Sequence, residues 1–246
     1  MFVKTLFIAF VFIFSVNISA LAGLKSYHDK IYQSYVSNDI SIWENTLTDL
    51  ISLYNNQADD VLLYEITLSH YGIIGYHLDY GSEEKASNYL SKAQDYLEVL
   101  LTISSYKAQS LAFKSAFYGF EISLNSLKGL TLGRRSHNAA SEAVEADEDY
   151  PRVWVEKGNV NFYTPAIVGG SKEEAIKYYE KAIKMFEHSM QYNHRWLYLN
   201  TLVMLARAYE ETGNDAMAIQ TVRKALMFEP GFILAKEDYL PKLLNK

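Results

Sequence analysis

Apolar residues between positions 199 and 232 recur at the spacing of two packed helices. Small side chains fall where the two helices would cross, because a larger side chain there would hold the backbones apart. Gly213 and Asn214 are expected to form the turn, and Pro230 to end the second helix because proline lacks an amide hydrogen. This hairpin needs neighbours to cover its apolar face. The positions concerned are Leu202, Leu205, Ala206, Tyr209, Ala218, Val222 and Ala225.

Similar but less regular patterns predict four more hairpins and a terminal helix that covers the last open apolar face. Two segments depart from the pattern. Residues 128–135 are expected to form a loop, and residues 164–170 an insertion in which Ile167 and Val168 plug a gap between hairpins. The predicted hairpins span residues 24–56, 58–100, 104–148, 151–191 and 195–229, and the terminal helix spans residues 232–244.

The hairpin pattern of residues 199–232 and its less regular copies resemble the tetratricopeptide repeat superfamily over most of the chain. The resemblance implies an all-α, right-handed solenoid of about five hairpins with a C-terminal capping helix. In addition, the segment from Thr164 to Ala175, with its proline and Gly-Gly pair, resembles an insertion in the periplasmic helical subunit associated with TRAP solute transporters. That second resemblance implies a role beside a solute-binding protein.

The first 22 residues have the three parts of a secretory signal peptide. Lys4 supplies the positive start, residues 6–16 form an apolar core, and Ala20-Leu21-Ala22 is a small-x-small cleavage signal. We expect cleavage after Ala22 and a mature repeat domain of residues 23–246, in the periplasm or secreted. The alternative is a retained anchor, although the apolar core is shorter than the about 20 residues that span a bilayer.

Composition excludes several classes of function. The chain has no cysteine, so it has no disulfide, no thiol nucleophile and no lipidated cysteine of a bacterial lipoprotein. Its formal net charge of -6 gives no support to a general nucleic-acid role. His70 and His77 lie seven residues apart without a third ligand nearby, so no metal site and no cofactor are expected.

Two candidate binding sites follow from the repeat pattern. The first helix of each repeat lines the concave face in the superfamily, so polar and aromatic residues there are expected to bind a partner in a groove. A second cluster precedes a predicted helix and could hold an anion, with a solvated loop as the alternative. The groove residues are Arg152, Asn159, Phe162, Tyr163, Asn200 and Arg207, and the anion-binding candidates are Arg134, Arg135 and His137.

The segment from Gly169 to Lys172 lacks the full phosphate-loop pattern and follows no strand, which favours a structural role. No catalytic constellation is recognisable, so we expect a scaffold that is not an enzyme and that binds a protein or peptide, with no membrane span after cleavage. The alternative is a solute-transport accessory that binds a solute-binding protein or a small apolar ligand. It rests on the Gly-Gly insertion and on an aromatic helix, Phe113 to Phe120, that could border an apolar cavity.

Overall fold

The structure of the protein is a computed structural model that describes residues 23–189 and 193–246. The predicted signal peptide lies outside the described residues. Within them the regular elements are helices and none is a strand, which confirms the predicted all-α helical-repeat fold. No helix in these two ranges has both the length and the apolar character needed to cross a bilayer.

Consecutive helices in the described part of the chain pair into five hairpins, and a short terminal helix follows them. Single turns of 3-10 helix, Ser104–Tyr106, Ser126–Lys128 and Ala166–Val168, lie in the connections. A π-helical segment, Leu234–Tyr239, leads into the terminal helix. The helices are α1 (residues 23–37), α2 (Ile40–Asn56), α3 (Asp60–Asp79), α4 (Glu83–Leu100), α5 (Lys107–Leu124), α6 (Gly129–Ala146), α7 (Pro151–Tyr163), α8 (Lys172–His188), α9 (Arg195–Glu211), α10 (Asp215–Phe228) and α11 (Leu240–Leu244).

Several helices begin at side chains that accept hydrogen bonds from first-turn amides. Asp59 accepts from two amides of α3, and Asn214 accepts from the amide of Met217 in α10. Ser171 Oγ accepts from the Glu174 amide at 3.1 Å, as half of the capping box requires. The Ser171 amide bonds instead to the Asn161 carbonyl at 3.1 Å, which ties the start of α8 to α7.

Small residues allow close helix crossings where the repeat pattern predicted them. The alanines at these positions, including Ala206 and Ala218, are fully buried. Glycine allows close packing at two other helix contacts, one within a hairpin and one between neighbouring hairpins. A Cβ on Gly158 of α7 would lie 2.5 Å from the ring of Tyr179 in α8, and a Cβ on Gly72 of α3 would lie 2.2 Å from Trp43.

Gly158→Ala is expected to lower the free energy of unfolding by about 1–3 kcal/mol, because the buried Tyr179 ring would have to move. Urea denaturation measures the change. Gly133→Ala is the matched control, since Gly133 is also in a helix but a Cβ there meets no atom within 4 Å. The control should be neutral or slightly stabilising, and equal stabilities for the two variants would contradict the crossing.

The first and last hairpins contact each other, so the stack closes on itself. Tyr35 of α1 stacks on Phe232 with ring centroids 5.3 Å apart, and its hydroxyl donates to Asn200 Oδ1 of α9 at 3.1 Å. Arg195 at the start of α9 forms an ion pair with Asp29 of α1 at 2.8 Å. We call these contacts between α1–α2 and α9–α11 the seam; the repeat pattern did not predict it.

The loop predicted at residues 128–135 is wrong, because α6 already begins at Gly129. Two glycines give this stretch a low helix propensity, but packing against α5 outweighs that propensity. Ser136 is buried, and its hydroxyl donates to the Ser115 carbonyl at 2.9 Å while the Ser115 hydroxyl donates to the Ser136 carbonyl at 2.9 Å.

The insertion also differs from its prediction, since Ile167 and Val168 do not plug a gap. Ile167 is 94% exposed, and Val168 is exposed as well. The backbone around them is tightly constrained. A Cβ on Gly170 would lie 1.8 Å from the Thr164 carbonyl oxygen, and Gly169 has φ of +98°. The insertion therefore presents its apolar side chains to solvent on a well-defined loop.

Candidate functional site

The predicted groove residue Arg152 of α7 is completely buried against α3 and α5. Its Nη2 forms an ion pair with Glu156 Oε1 at 3.1 Å, one turn along α7. The guanidinium carbon lies 3.8 Å from the centre of the Phe113 ring and 4.6 Å from that of Tyr71. These contacts are favourable cation–π interactions, and they leave Arg152 no surface for a partner in this conformation.

Asn159, a second predicted groove residue, extends this buried polar network. Its side-chain amide donates to Glu156 Oε2 at 3.1 Å, and its carbonyl accepts from the Tyr179 hydroxyl at 2.8 Å. Burial raises the pKa of Glu156, and the charge of Arg152 opposes that rise. The Glu156 carboxylate therefore has two partners inside the solenoid, the guanidinium of Arg152 and the side-chain amide of Asn159.

Two more predicted groove residues are also engaged within the chain. Phe162 is buried, and Asn200 accepts the hydroxyl of Tyr35 from α1. The first hairpin thus occupies the part of the inner face around Asn200, which was expected to contact a partner. Partner binding by this inner face stays a prediction, and it would require the seam to open.

Tyr163 and Arg207 lie differently, because both reach the surface at the ends of α7 and α9. Tyr163 is 63% exposed, and Arg207 Nη2 lies 3.4 Å from Asp79 Oδ2. The insertion that follows Tyr163 carries the exposed Ile167 and Val168. In the preceding hairpin, Leu127 in the turn between α5 and α6 and Leu130 in the first turn of α6 are exposed. Since both turns join the first to the second helix of neighbouring hairpins, these side chains lie along one edge of the stack. We call this surface, made of Tyr163, Ile167, Val168, Leu127 and Leu130, the turn edge.

The anion-binding candidates do not precede a helix, which corrects the prediction made for them. Arg134, Arg135 and His137 lie within α6, beyond its first turn, and their side chains are exposed. The free amides of the helix start are therefore not beside these side chains.

Lys172, in the segment compared with a phosphate loop, contacts the Phe162 carbonyl and forms an ion pair with Glu211 at 2.8 Å. These contacts hold the segment to α7 and α9, and its structural role stays a prediction.

The two histidines considered for metal binding lie in separate environments. His70 is buried with its Nδ1 2.8 Å from the Ile66 carbonyl, and burial lowers the pKa of His70 to about 4. His77 instead hydrogen bonds to Glu44 at 2.9 Å.

The aromatic residues of α5 pack against other described side chains rather than around a cavity, because Phe113 and Phe117 are buried against neighbouring rings and Arg152.

A different histidine cluster lies at the seam. Nε2 of His28 and Nε2 of His194 both approach Glu65 Oε1, at 3.0 and 2.9 Å. Burial alone would raise the pKa of the Glu65 carboxyl, but the neighbouring His194 and His28 outweigh burial and lower it to about 2. Sequence reasoning missed this cluster, because its members are 37 and 129 positions apart. They meet only because the stack closes.

A family model described as tetratricopeptide repeat matches residues 169–188 and 199–232. The match covers these two segments, 54 of the 246 residues. The matched residues include α8 and the hairpin of α9 and α10, where the crossing alanines follow the repeat spacing most closely. No curated protein was found to match the chain.

Solved structures share the repeat fold at low sequence identity. The HusA haemophore from Porphyromonas gingivalis is 16% identical with a TM-score of 0.64, and the alignment covers 78% of this chain and 94% of that one. TTC0263, a thermophilic tetratricopeptide-repeat protein of Thermus thermophilus, is 14% identical with a TM-score of 0.62, covering 92% and 99%. These likenesses show the fold of the repeats. The resemblance to the TRAP-associated subunit is not shown.

Proposed function

We propose that this protein is an exported, non-enzymatic scaffold that binds a protein partner through the turn edge. Tetratricopeptide repeats support a role in protein interaction, and the leader of residues 1–22 supports export. The proposal places binding at the turn edge because the predicted groove residues other than Tyr163 and Arg207 are engaged within the chain.

The observation that carries the proposal is the set of apolar side chains left exposed on constrained backbone. Ile167 is 94% and Leu130 is 90% exposed. Clustered exposed apolar residues mark interaction surfaces on soluble proteins. The Gly169–Gly170 backbone fixes the insertion before binding, so little conformational entropy would be lost on association.

Charged residues beside the turn edge give it a mixed rim. Lys172 pairs with Glu211, and Arg207 pairs with Asp79, all partly accessible. A polar rim around an apolar centre is the usual arrangement of protein interfaces. The chemistry suits a folded partner or a segment that offers apolar side chains.

Two other functions are not part of this proposal. The comparisons give no support to a solute-transport accessory, and Phe113 and Phe117 of α5, which that alternative placed beside a cavity, are buried against other side chains. One structural relative is a haemophore, but a likeness at 16% identity shows the fold alone.

Site-specific photo-crosslinking in intact producing cells tests the proposal. A photoreactive residue at position 167 should capture one defined envelope protein, and the scaffold chain in that crosslinked product should begin at Gly23. With the captured protein purified, Ile167→Asp with Val168→Asp should weaken binding about tenfold or more, because a charge would be desolvated in the interface. Both residues are exposed, so the melting temperature should stay close to wild type.

Met227 provides the matched control, since it is 84% exposed at the opposite end of its hairpin. A photoreactive residue at position 227 should capture no partner, and Met227→Asp should leave the affinity unchanged. Equal crosslinking from both positions, or full affinity in the Ile167→Asp and Val168→Asp variant, would rule out the turn edge.

A further inference from the structure

The seam contains a compact cluster of metal-ligating atoms. One donor atom each from His28, Glu65 and His194 lies within 4.8 Å of the others. His28 is on α1, Glu65 is on α3, and His194 immediately precedes α9. Three separate parts of the chain therefore converge on one point.

The cluster is almost completely shielded from solvent. The exposed fractions of the His28, Glu65 and His194 side chains are 10%, 6% and 13%. A buried carboxylate carries a large desolvation cost unless cations or hydrogen-bond donors surround it. The two imidazoles meet that need either by donating hydrogen bonds to the carboxylate or by binding, together with the carboxylate, one cation.

Two buried polar atoms beside Glu65 indicate that the described contacts do not complete the site. Nε2 of His28 is 3.0 Å from Glu65 Oε1 and out of reach of solvent, but the geometry of this contact is not that of a standard hydrogen bond. The hydroxyl of Ser69 is also buried without a hydrogen-bond partner and lines the same small cavity as the cluster. Such unsatisfied buried groups are rare in folded proteins and call for a missing partner such as an ion or a water molecule.

We propose that His28, Glu65 and His194 bind one divalent transition-metal ion, Zn²⁺, at the seam. Two imidazole nitrogens and one carboxylate are a donor set that Zn²⁺ accepts, with ligand distances of about 2.0–2.2 Å. Donors around a tetrahedral ion lie about 3.4 Å apart at those distances. To admit the ion, the nitrogen–oxygen separations of 2.9 and 3.0 Å would widen, and the donor atoms, which now lie within 4.8 Å of one another, would adjust to that common spacing.

The position of the cluster gives the ion a structural role. It would join α1, α3 and the start of α9 through one coordination centre, so the first hairpin would be held to the last. The ion would also use the buried Nε2 of His28 as a ligand. Metal binding to the folded form alone raises its stability by mass action.

Zinc titration of the full chain, purified without an affinity tag and treated with chelator, tests the proposal. Calorimetry should show one Zn²⁺ per chain, and Zn²⁺ should raise the melting temperature by several degrees. His28→Ala and His194→Ala should each weaken Zn²⁺ binding by about 100-fold or more and abolish the shift in melting temperature. Glu65→Gln keeps the volume and should also weaken binding.

His188→Ala is the control, because His188 is exposed on α8 and should leave the stoichiometry unchanged. Circular dichroism checks that each variant is folded. If a variant unfolds, the stoichiometry and melting shift of the wild-type chain decide the question. The absence of one-to-one binding by wild type, or undiminished binding in a folded His28→Ala, His194→Ala double variant, would overturn the site.

Discussion

Arg152→Ala is expected to lower the free energy of unfolding by about 3–5 kcal/mol, the largest effect that we expect from a substitution on the inner face. The substitution would leave Glu156 buried without its ion-pair partner, since Arg152 and Glu156 are 0% and 1% exposed. It would also remove the guanidinium that packs on Phe113. Equilibrium denaturation in urea at neutral pH measures the loss.

The double variant Arg152→Met, Glu156→Leu separates the charge effect from simple packing. It removes both charges together and fills similar volume, so it should be more stable than Arg152→Ala, and its remaining cost relative to wild type is the lost hydrogen bond from Asn159 to Glu156. A buried pair predicts this strong non-additivity. A cost below about 1 kcal/mol for Arg152→Ala would instead indicate a solvent-facing arginine and an open groove.

Trp196→Ala is expected to cost about 3–5 kcal/mol and to loosen the seam. Trp196 of α9 is nearly fully buried, and its ring lies 4.7 Å from Trp43 and 5.9 Å from Tyr35, between ring centroids. Its removal would leave a cavity between the first and last hairpins. Amide hydrogen exchange should then show that α1 loses more protection than α7, because α1 depends on the seam.

Trp154→Ala is the matched control for this experiment. Trp154 on α7 is only partly buried and stacks on Tyr178 at 5.8 Å, away from the seam. We expect a smaller stability loss and no selective exchange in α1. An equal loss of amide protection in all helices of Trp196→Ala would show that the seam does not open as a separate unit.

The local pattern predicted the hairpins because helix formation and helix crossing depend on near neighbours. Ala206 and Ala218 are three to four residues from other apolar positions, and the structure buries both at a crossing. The turn at Gly213, with φ of +76°, was equally visible in the sequence. The stretch from residue 128 to 135 was misassigned, because burial of Ser136 against Ser115 outweighs the weak helix propensity of its glycines.

The candidate sites were less predictable because they depend on how the hairpins stack. Arg152 and Asn159 were predicted to line the groove, but the sequence does not show that Tyr71, Phe113 and Tyr179 would bury them. Ile167 and Val168 were expected to be buried, yet the constrained turn before Gly170 directs them to solvent. Exposure of a side chain follows from the loop path, which spacing alone does not specify.

By itself, the sequence determined the repeat: helices of regular apolar spacing, small residues at their crossings, and caps and glycines at their turns. Only the tertiary structure decided that the stack closes, and therefore which polar residues meet inside it. Closure depends on small rotations accumulated over five hairpins, and no local spacing records their sum. His28, Glu65 and His194 converge for that reason, from positions that share no sequence pattern.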